Sequence, residues 1–114
     1  MKTNLVKTGK IIDGKEVLGI ELTNTKGSYV KIYNYGAIVS KFVVTNAHGK
    51  QQDIVLGFDD FDQYVSDNYL ANYPYLGAIV GRYANRIKEG KFSIDDKTYQ
   101  LAVKDFVKTK IALP

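Results

Sequence analysis

The chain has 114 residues, of which 45% are hydrophobic and 25% charged, a composition typical of an ordered globular domain and not of a disordered segment. It contains no cysteine, which excludes disulfides and cysteine-ligated zinc sites and favours the cytoplasm as its compartment. No apolar run approaches the roughly 18 residues of a membrane helix, and residues 1–16 lack the apolar core of a secretory signal, so we expect no membrane partner.

The net charge of +4 comes entirely from the last third of the chain. Residues 1–81 contain as many acidic as basic residues, whereas residues 82–114 hold eight basic and four acidic ones. A basic segment can bind nucleic acid. Here the lysines alternate with acidic and apolar residues and form no block, which favours a scattered charged surface. We therefore expect no nucleic-acid partner.

Three stretches alternate between apolar and polar residues with the period of two that predicts β-strands. Residues 15–24 place Leu18, Ile20 and Leu22 on one face. Residues 29–36 alternate in the same way. Residues 37–46 predict one face with Ile38, Phe42 and Val44 and the other with Val39, Lys41 and Val43.

The rest of the chain predicts turns, shorter strands and a loop. Residues 46–50, with Gly49, predict a turn, and residues 53–58 predict a short buried strand. Residues 59–75 predict a loop with a helical turn at residues 61–65. Residues 91–101 predict a hairpin that turns at Asp95 and Asp96. The pattern predicts an all-β sandwich or barrel in one domain, without a long helix or an internal boundary.

Single residues offer little catalytic chemistry. His48 is the only histidine and lies in a tight turn, so we interpret it as a turn residue and expect no histidine-based metal cluster. The acidic residues of the 59–67 stretch lack the spacing of a calcium loop and are interpreted as a solvated loop. Gly77 and Gly81 indicate a close backbone approach or a bulge.

Aromatic residues and arginines gather near the middle of the second half. Five tyrosines precede or flank the arginines, and their flat faces with polar tips suit either a half-buried sheet or the binding of sugars: Tyr64, Tyr69, Tyr73, Tyr75 and Tyr83. Arg82 and Arg86 are the only arginines. A guanidinium fork beside the Asn85 amide can bind neighbouring hydroxyls, or each arginine can anchor an ion pair. In a strand Asn85 would face away from Arg86, unless the chain bends there.

Four blocks in order resemble the N-terminal part of the aldose 1-epimerase (galactose mutarotase) family. The blocks are NYGAIVSKFVV, DIVLGFDDFDQY, YPYLGAIVGRYANRI and GKFSIDDKTYQL. The resemblance runs from about residue 18 to residue 101. The resemblance implies a large antiparallel β-sandwich. It also implies interconversion of the α and β anomers of aldoses such as galactose and glucose.

The resemblance further implies general acid–base catalysis by a glutamate and a histidine, without metal or organic cofactor. In the family the Asn-Arg pair of the third block contacts sugar hydroxyls, and it matches Asn85 and Arg86 here. We therefore expect Asn85 and Arg86 to bind substrate, an aldohexose, and we assign Arg82 to a structural ion pair.

The chain departs from the family after residue 101. Lys104 stands where the family has asparagine, and no Leu-His-Gly-Gly block follows in residues 102–114, a divergent tail. The family's catalytic histidine and glutamate lie further on, and His48 matches neither. We expect residues 1–114 to be the N-terminal segment of a single sandwich domain, incomplete and inactive alone. The unpaired strand edges of such a segment predict self-association.

Two alternatives stay open at this point. The first is a non-catalytic carbohydrate-binding β module that uses Asn85, Arg86 and the tyrosines. The second is a small nucleic-acid-binding β protein that uses the basic last third, which would bind oligonucleotides with a steep salt dependence.

Overall fold

A computed structural model describes residues 1–82 and 85–101 of the chain. The described residues form mostly antiparallel strands with little helix, which confirms the all-β prediction. The described residues fall into two compact units, one of residues 1–79 and one that begins at residue 80. The interpretation of residues 102–114 as a divergent tail, with Lys104, concerns residues outside the described part. The single-domain assignment stays a prediction.

The first unit contains a five-stranded sheet in which every strand pairs with its neighbour in the chain. The strands are β1 (Lys2–Ile12), β2 (Lys15–Thr23), β3 (Tyr29–Tyr33), β4 (Val39–Thr45) and β5 (Gln51–Asp53). Their order in the sheet is β1-β2-β3-β4-β5, and all pairs are antiparallel. The alternating patterns predicted β2, β3 and β4 and are confirmed for these three.

Strand β1 was not predicted from the sequence. Its residues are mostly exposed and mix lysines with small polar residues, so they show little hydrophobic periodicity. The informative signal is the dipeptide Asp13-Gly14, in which both residues have positive φ, 49° and 75°. This is the geometry of a tight hairpin turn, for which Asp-Gly is a preferred sequence.

The predicted buried strand at residues 53–58 is wrong. Strand β5 ends at Asp53, and no regular element follows until Phe61. Ile54 and Leu56 are 57% and 77% exposed, and Phe58 at the end of the run is only partly buried against the core. Gly57 instead passes close to β4, because a Cβ atom there would lie 2.6 Å from the carbonyl oxygen of Ser40.

A bulge in β4 corrects the predicted faces of that strand. Ile32 pairs with Val39 and Lys31 pairs with Lys41, so Ser40 is an extra residue without a direct partner. A bulge reverses the alternation on one side of itself. Val39 therefore shares the face of Phe42, and not that of Lys41 as predicted, while Ile38 is buried on the opposite face.

Residues 61–78 cover that opposite face with short helices and aromatic side chains. A 3-10 helix at Phe61–Val65 confirms the predicted helical turn, and a helix α1 (Asp67–Asn72), capped by the Ser66 side chain, follows it. The buried core consists of residues from the sheet and from this segment: Val17, Tyr33, Ile38, Phe61, Tyr64 and Tyr69.

Aromatic rings in the core meet edge to face. The ring centroids of Tyr33 and Phe61 are 5.1 Å apart, and those of Tyr64 and Tyr69 are 5.7 Å apart. This geometry places the positive edge of one ring against the negative face of another. The hydroxyl of Tyr64 accepts a hydrogen bond from the Phe58 amide, and that of Tyr69 accepts one from the Leu76 amide, both at 2.9 Å.

Gly77 makes the close backbone approach that the sequence indicated. The Val39 amide donates to the Gly77 carbonyl at 2.9 Å, and a Cβ atom on Gly77 would lie 2.2 Å from the Val39 carbonyl oxygen. Its φ of 68° also favours glycine. At Gly81 no atom of the described residues lies within 4 Å of such a Cβ, so no close approach is found there, and the alternative of a bulge stays a prediction.

The second unit contains a two-stranded hairpin. Strands β6 (Lys91–Ile94) and β7 (Lys97–Gln100) pair antiparallel. The turn falls at Asp95 and Asp96, both with positive φ, which confirms the predicted hairpin. Phe92 and Tyr99 lie opposite each other and stack with centroids 5.3 Å apart.

One face of the five-stranded sheet exposes large apolar side chains. Leu5 pairs with Ile20, and Val30 pairs with Phe42, so these residues line the face opposite to the aromatic core. Leu5, Ile20 and Phe42 are 54%, 43% and 42% exposed. A contiguous exposed apolar face of this kind marks an interaction surface. Among residues 1–82 and 85–101, no helix is long and apolar enough to cross a membrane.

Tyr64→Phe should destabilise the first unit by about 1–3 kcal/mol at neutral pH, because the Phe58 amide loses its acceptor. Burial raises the pKa of the Tyr64 hydroxyl above its ordinary value of 10.0, against a smaller lowering effect of the Phe58 amide. The fold therefore favours the neutral phenol, and this stabilisation is complete below pH 10 and lost as the pH rises through the raised pKa. The destabilisation by Tyr64→Phe should consequently be smaller at pH 11 than at pH 7.

Urea denaturation at both pH values measures this difference, and Tyr99→Phe on the exposed hairpin is the matched control. Equal stability of wild type and Tyr64→Phe at pH 7 would contradict the role given to the hydroxyl.

The exposed apolar face and the two edge strands predict self-association of the chain at micromolar concentration. Ile20→Thr combined with Phe42→Thr places residues of high β-propensity in the strands while removing apolar area, and should shift the protein toward monomer. Sedimentation velocity measures the shift. Ile94→Thr, at an exposed apolar residue of the hairpin, is the control. A wild-type chain that stays monomeric over the whole concentration range would refute the prediction.

Candidate functional site

The predicted substrate residues lie in a bend and not in a strand. Asn85 and Arg86 belong to no regular element, and both side chains are exposed. Asn85 has a φ of 77°, in the left-handed region. The sequence had left open whether the chain bends at this point, and the positive φ shows that it does.

Asparagine suits this backbone geometry better than most residues. A left-handed conformation costs an ordinary L-residue roughly 1–2 kcal/mol, whereas asparagine adopts it routinely because its short amide can bond locally. Residues held in such regions cluster at functional sites. The conformation also leaves the Asn85 amide and the Arg86 guanidinium accessible on the surface of the bend.

The bend continues into a tight turn that is itself strained. A 3-10 helix spans Lys88–Gly90, and the amide of Gly90 donates to the Ile87 carbonyl at 3.0 Å. Within it Glu89 has a φ of 55°, and Gly90 a φ of 62°. Three residues between 85 and 90 thus adopt left-handed conformations, two of them without the freedom of glycine. The strain at Glu89 was not predicted, and the only local signal in the sequence is the glycine that follows it.

The end of the hairpin holds the end of this turn. The Leu101 amide donates to the Gly90 carbonyl at 2.8 Å, directly after β7. Gly90 is buried, whereas most of the hairpin is exposed. The hydrogen bond ties the two ends of the hairpin segment together, so the turn is fixed from its carboxyl side.

The donors at the bend are suited to neutral oxygen ligands. The Arg86 guanidinium offers up to five N–H donors in a planar fork, and the Asn85 side chain offers two donors and one acceptor. Two adjacent hydroxyl groups present acceptors and donors that complement these groups. The pair can therefore bind a polyol without a metal ion, and no group of three or more metal-ligating side chains exists in the described part of the chain.

The other residues singled out from the sequence have different roles. Arg82 is exposed, and within its own unit no described acidic side chain lies in ion-pair range, so its ion pair stays a prediction. His48 lies in the hairpin turn between β4 and β5, where its amide and that of Lys50 donate to the Asn46 side chain at 3.0 Å. This confirms its interpretation as a turn residue.

Most of the tyrosines belong to the core. Tyr64 and Tyr69 are buried and use their hydroxyls to accept backbone amides, so they are not sugar platforms. Tyr73 is half-buried, and Tyr75 is 37% exposed, with its ring centroid 4.2 Å from that of Tyr73. Tyr83 lies outside the described residues.

Lysines neutralise part of the acidic loop. Lys41 pairs with Asp59, and Lys10 pairs with Asp62 at 3.2 Å. The hydrogen bond with Lys41 lowers the pKa of the Asp59 carboxyl, and the same bond raises the pKa of Lys41. Asp59 is fully exposed, so this pair contributes little to stability.

Comparison with known proteins places the chain among sugar epimerases. Residues 19–111 match the sequence profile of the family described as aldose 1-epimerase. A probable aldose 1-epimerase from Arthroderma benhamiae is 39% identical over 95 residues, which is 83% of this chain and 21% of that protein. The galactose mutarotase of Bos taurus is 42% identical over 74 residues, covering 65% of this chain and 20% of that protein.

A solved structure agrees with the sequence matches. The crystal structure of galactose 1-epimerase from Lactobacillus acidophilus superposes with a TM-score of 0.60 at 30% identity. The superposition covers 92% of this chain and 28% of that one. The chain thus spans about a fifth of the length of the curated relatives that it matches. The predicted galactose mutarotase-like, antiparallel β-sandwich class is confirmed.

Asn85→Gly and Asn85→Ala separate the backbone role of Asn85 from its amide. Alanine should cost about 1 kcal/mol because it resists a φ of 77°, whereas glycine should cost almost nothing. Amide hydrogen exchange at Gly90 and Leu101, whose hydrogen bonds close the adjacent turn, should accelerate in the alanine variant only. Equal exchange rates in the two variants would show that the left-handed conformation is not required.

Proposed function

The chain belongs to the aldose 1-epimerase family, and from this membership we propose that Asn85 and Arg86 bind adjacent hydroxyl groups of an aldohexose. The observation that carries the proposal is the family match over residues 19–111, which includes the bend where both side chains are exposed. The substrate class follows from the names of the relatives, which act on galactose or aldoses.

The sugar is bound by hydrogen bonds from one neutral group, the Asn85 amide, and one charged group, the Arg86 guanidinium. The Arg86 fork donates to two hydroxyl oxygens, and the Asn85 amide both donates and accepts at the neighbouring position. Hydrogen bonds to a charged donor contribute more than neutral ones, roughly 1.5–3 kcal/mol each. Loss of Arg86 therefore removes more affinity than loss of Asn85.

The reaction we propose for the whole enzyme is interconversion of the α and β anomers of aldoses such as galactose and glucose. A base removes the proton of the C1 hydroxyl, an acid protonates the ring oxygen, and the bond between C1 and the ring oxygen breaks to give the open-chain aldehyde. The C1–C2 bond rotates, and the hydroxyl oxygen attacks the other face of the aldehyde as the two protons are returned. This is general acid–base catalysis. By resemblance to the family, the acid is a histidine and the base a glutamate, and both lie further along the family's sequence than the matched part. His48 is a turn residue and corresponds to neither.

Residues 1–114 thus contribute hydroxyl-binding groups and not the acid and base. We propose that the 114-residue polypeptide binds an aldohexose but does not catalyse its mutarotation alone, and that it resides in the cytoplasm.

Polarimetry of freshly dissolved α-D-galactose tests the absence of catalysis. The optical rotation should relax at the spontaneous rate with and without the 114-residue polypeptide, because the proton-transfer groups are missing. A galactose mutarotase such as the bovine relative is the positive control. Acceleration that scales with the concentration of the polypeptide would overturn this part of the proposal.

Titration with D-galactose followed by NMR tests the binding role. Arg86→Ala should weaken binding by roughly tenfold or more, and Arg86→Lys should restore only part of it because the charge returns without the fork. Lys91→Ala, an exposed cation on β6, is the matched control and should leave the affinity unchanged.

Affinity that is equal in wild type and Arg86→Ala would contradict the assignment of Arg86.

A further inference from the structure

The side-chain amide of Gln100 donates hydrogen bonds to backbone carbonyls of the turn that follows the candidate site. Its Nε2 atom shares two N–H donors among three carbonyl oxygens, those of Glu89 at 3.1 Å, Gly90 at 3.4 Å and Leu101 at 3.0 Å. We propose that Gln100 is a positioning residue, which fixes the bend that carries Asn85 and Arg86 for sugar binding. This inference rests on the function proposed above.

The turn needs such a donor because its backbone is strained. Glu89 has a φ of 55° inside a 3-10 helix, and its carbonyl has no other hydrogen-bond partner within the described residues. Left-handed conformations of residues other than glycine persist where the surroundings hold them. The Gln100 amide supplies this hold, since it bonds to the carbonyl of the strained residue and to that of the next one.

The constraint reaches the candidate site through the backbone. The Gly90 amide donates to the carbonyl of Ile87, the residue that follows Arg86. The Leu101 amide donates to the Gly90 carbonyl from the other side. A continuous set of hydrogen bonds thus runs from the end of β7 through Gly90 to Ile87. Removing the Gln100 donors leaves these backbone bonds in place but takes the partner away from the Glu89 carbonyl, which loosens the strained residue between them.

Other polar side chains of the hairpin do not have this role. Ser93 and Thr98 lie opposite each other and share a hydrogen bond of 3.1 Å across the strands. That bond joins β6 to β7 and touches neither Glu89 nor Gly90. The pair is therefore suited as a control, because it belongs to the same hairpin at a similar exposure.

Preorganisation gives the expected effect on binding. Donors that are already held in place lose less conformational freedom when a ligand binds, so affinity falls when the support is removed. Gln100→Met keeps the length of the side chain and removes both donors without adding charge. We expect it to weaken D-galactose binding by about tenfold.

The experiment uses the 114-residue chain, ¹⁵N-labelled, in wild-type form and as Gln100→Met, Thr98→Val and Arg86→Ala. Gln100→Met should shift the amide resonances of Asn85, Arg86 and Ile87 in the absence of sugar and weaken galactose binding, while its melting temperature stays close to that of Thr98→Val. Thr98→Val should leave the three resonances and the affinity unchanged. A role confined to hairpin stability would instead lower the melting temperature and leave the affinity intact.

Two outcomes overturn the inference. Unmoved Asn85 and Arg86 resonances in Gln100→Met refute it whether or not the chain binds sugar. Wild-type affinity of Gln100→Met, together with lost binding in Arg86→Ala, refutes it while the proposed function stands. If neither wild type nor any variant binds galactose, the proposed sugar site fails, and the resonance shifts alone decide whether Gln100 sets the geometry of the bend.

Discussion

The first unit depends on tyrosine hydroxyls that accept backbone hydrogen bonds inside an aromatic core. Residues 54–78 contain only two short helices, so their backbone has few regular partners. Tyr64 and Tyr69 supply them, because each hydroxyl is an acceptor at the end of a ring that is already buried. One side chain thus contributes apolar burial and satisfies a polar group. An irregular segment can in this way cover one face of a sheet without leaving backbone amides unpaired.

The sequence predicted the parts of the fold that hydrophobic periodicity and turn residues define. Apolar and polar residues alternate along strands β2, β3 and β4. Two strand patterns on either side of Asp95 and Asp96 predict the hairpin at residues 91–101. Strand β1 escaped prediction because an edge strand with an exposed face needs little apolar content; its conformation comes from pairing with β2. The apolar run of residues 53–58 led to the opposite error, the prediction of a strand where there is none. Apolar residues also occur in irregular segments that are partly exposed.

The candidate site was identified by resemblance and not by local pattern. Asn85 and Arg86 form a motif, but their geometry depends on left-handed residues that no periodicity encodes. The Ser40 bulge shows the same limit, since one unpaired residue moved Val39 to the other face without any change in composition. The role of Gln100 could not be predicted from the sequence. Its hydrogen-bond partners are backbone carbonyls, which every residue has, so the identity of the partner residues carries no signal.

The neighbour-to-neighbour order of the five strands has a consequence for biosynthesis. Each strand pairs with one that left the ribosome immediately before it, so the sheet has low contact order and can grow by successive hairpins. Folding of this sheet therefore does not wait for distant sequence, and domains commonly fold from the N-terminus during synthesis. The contact between Gly77 and Val39 is the long-range step that comes later, when the segment bearing the aromatic rings closes over a sheet already in place. Until then both faces of the nascent sheet are exposed to water. This is the stage of synthesis at which the chain offers a chaperone the most apolar surface.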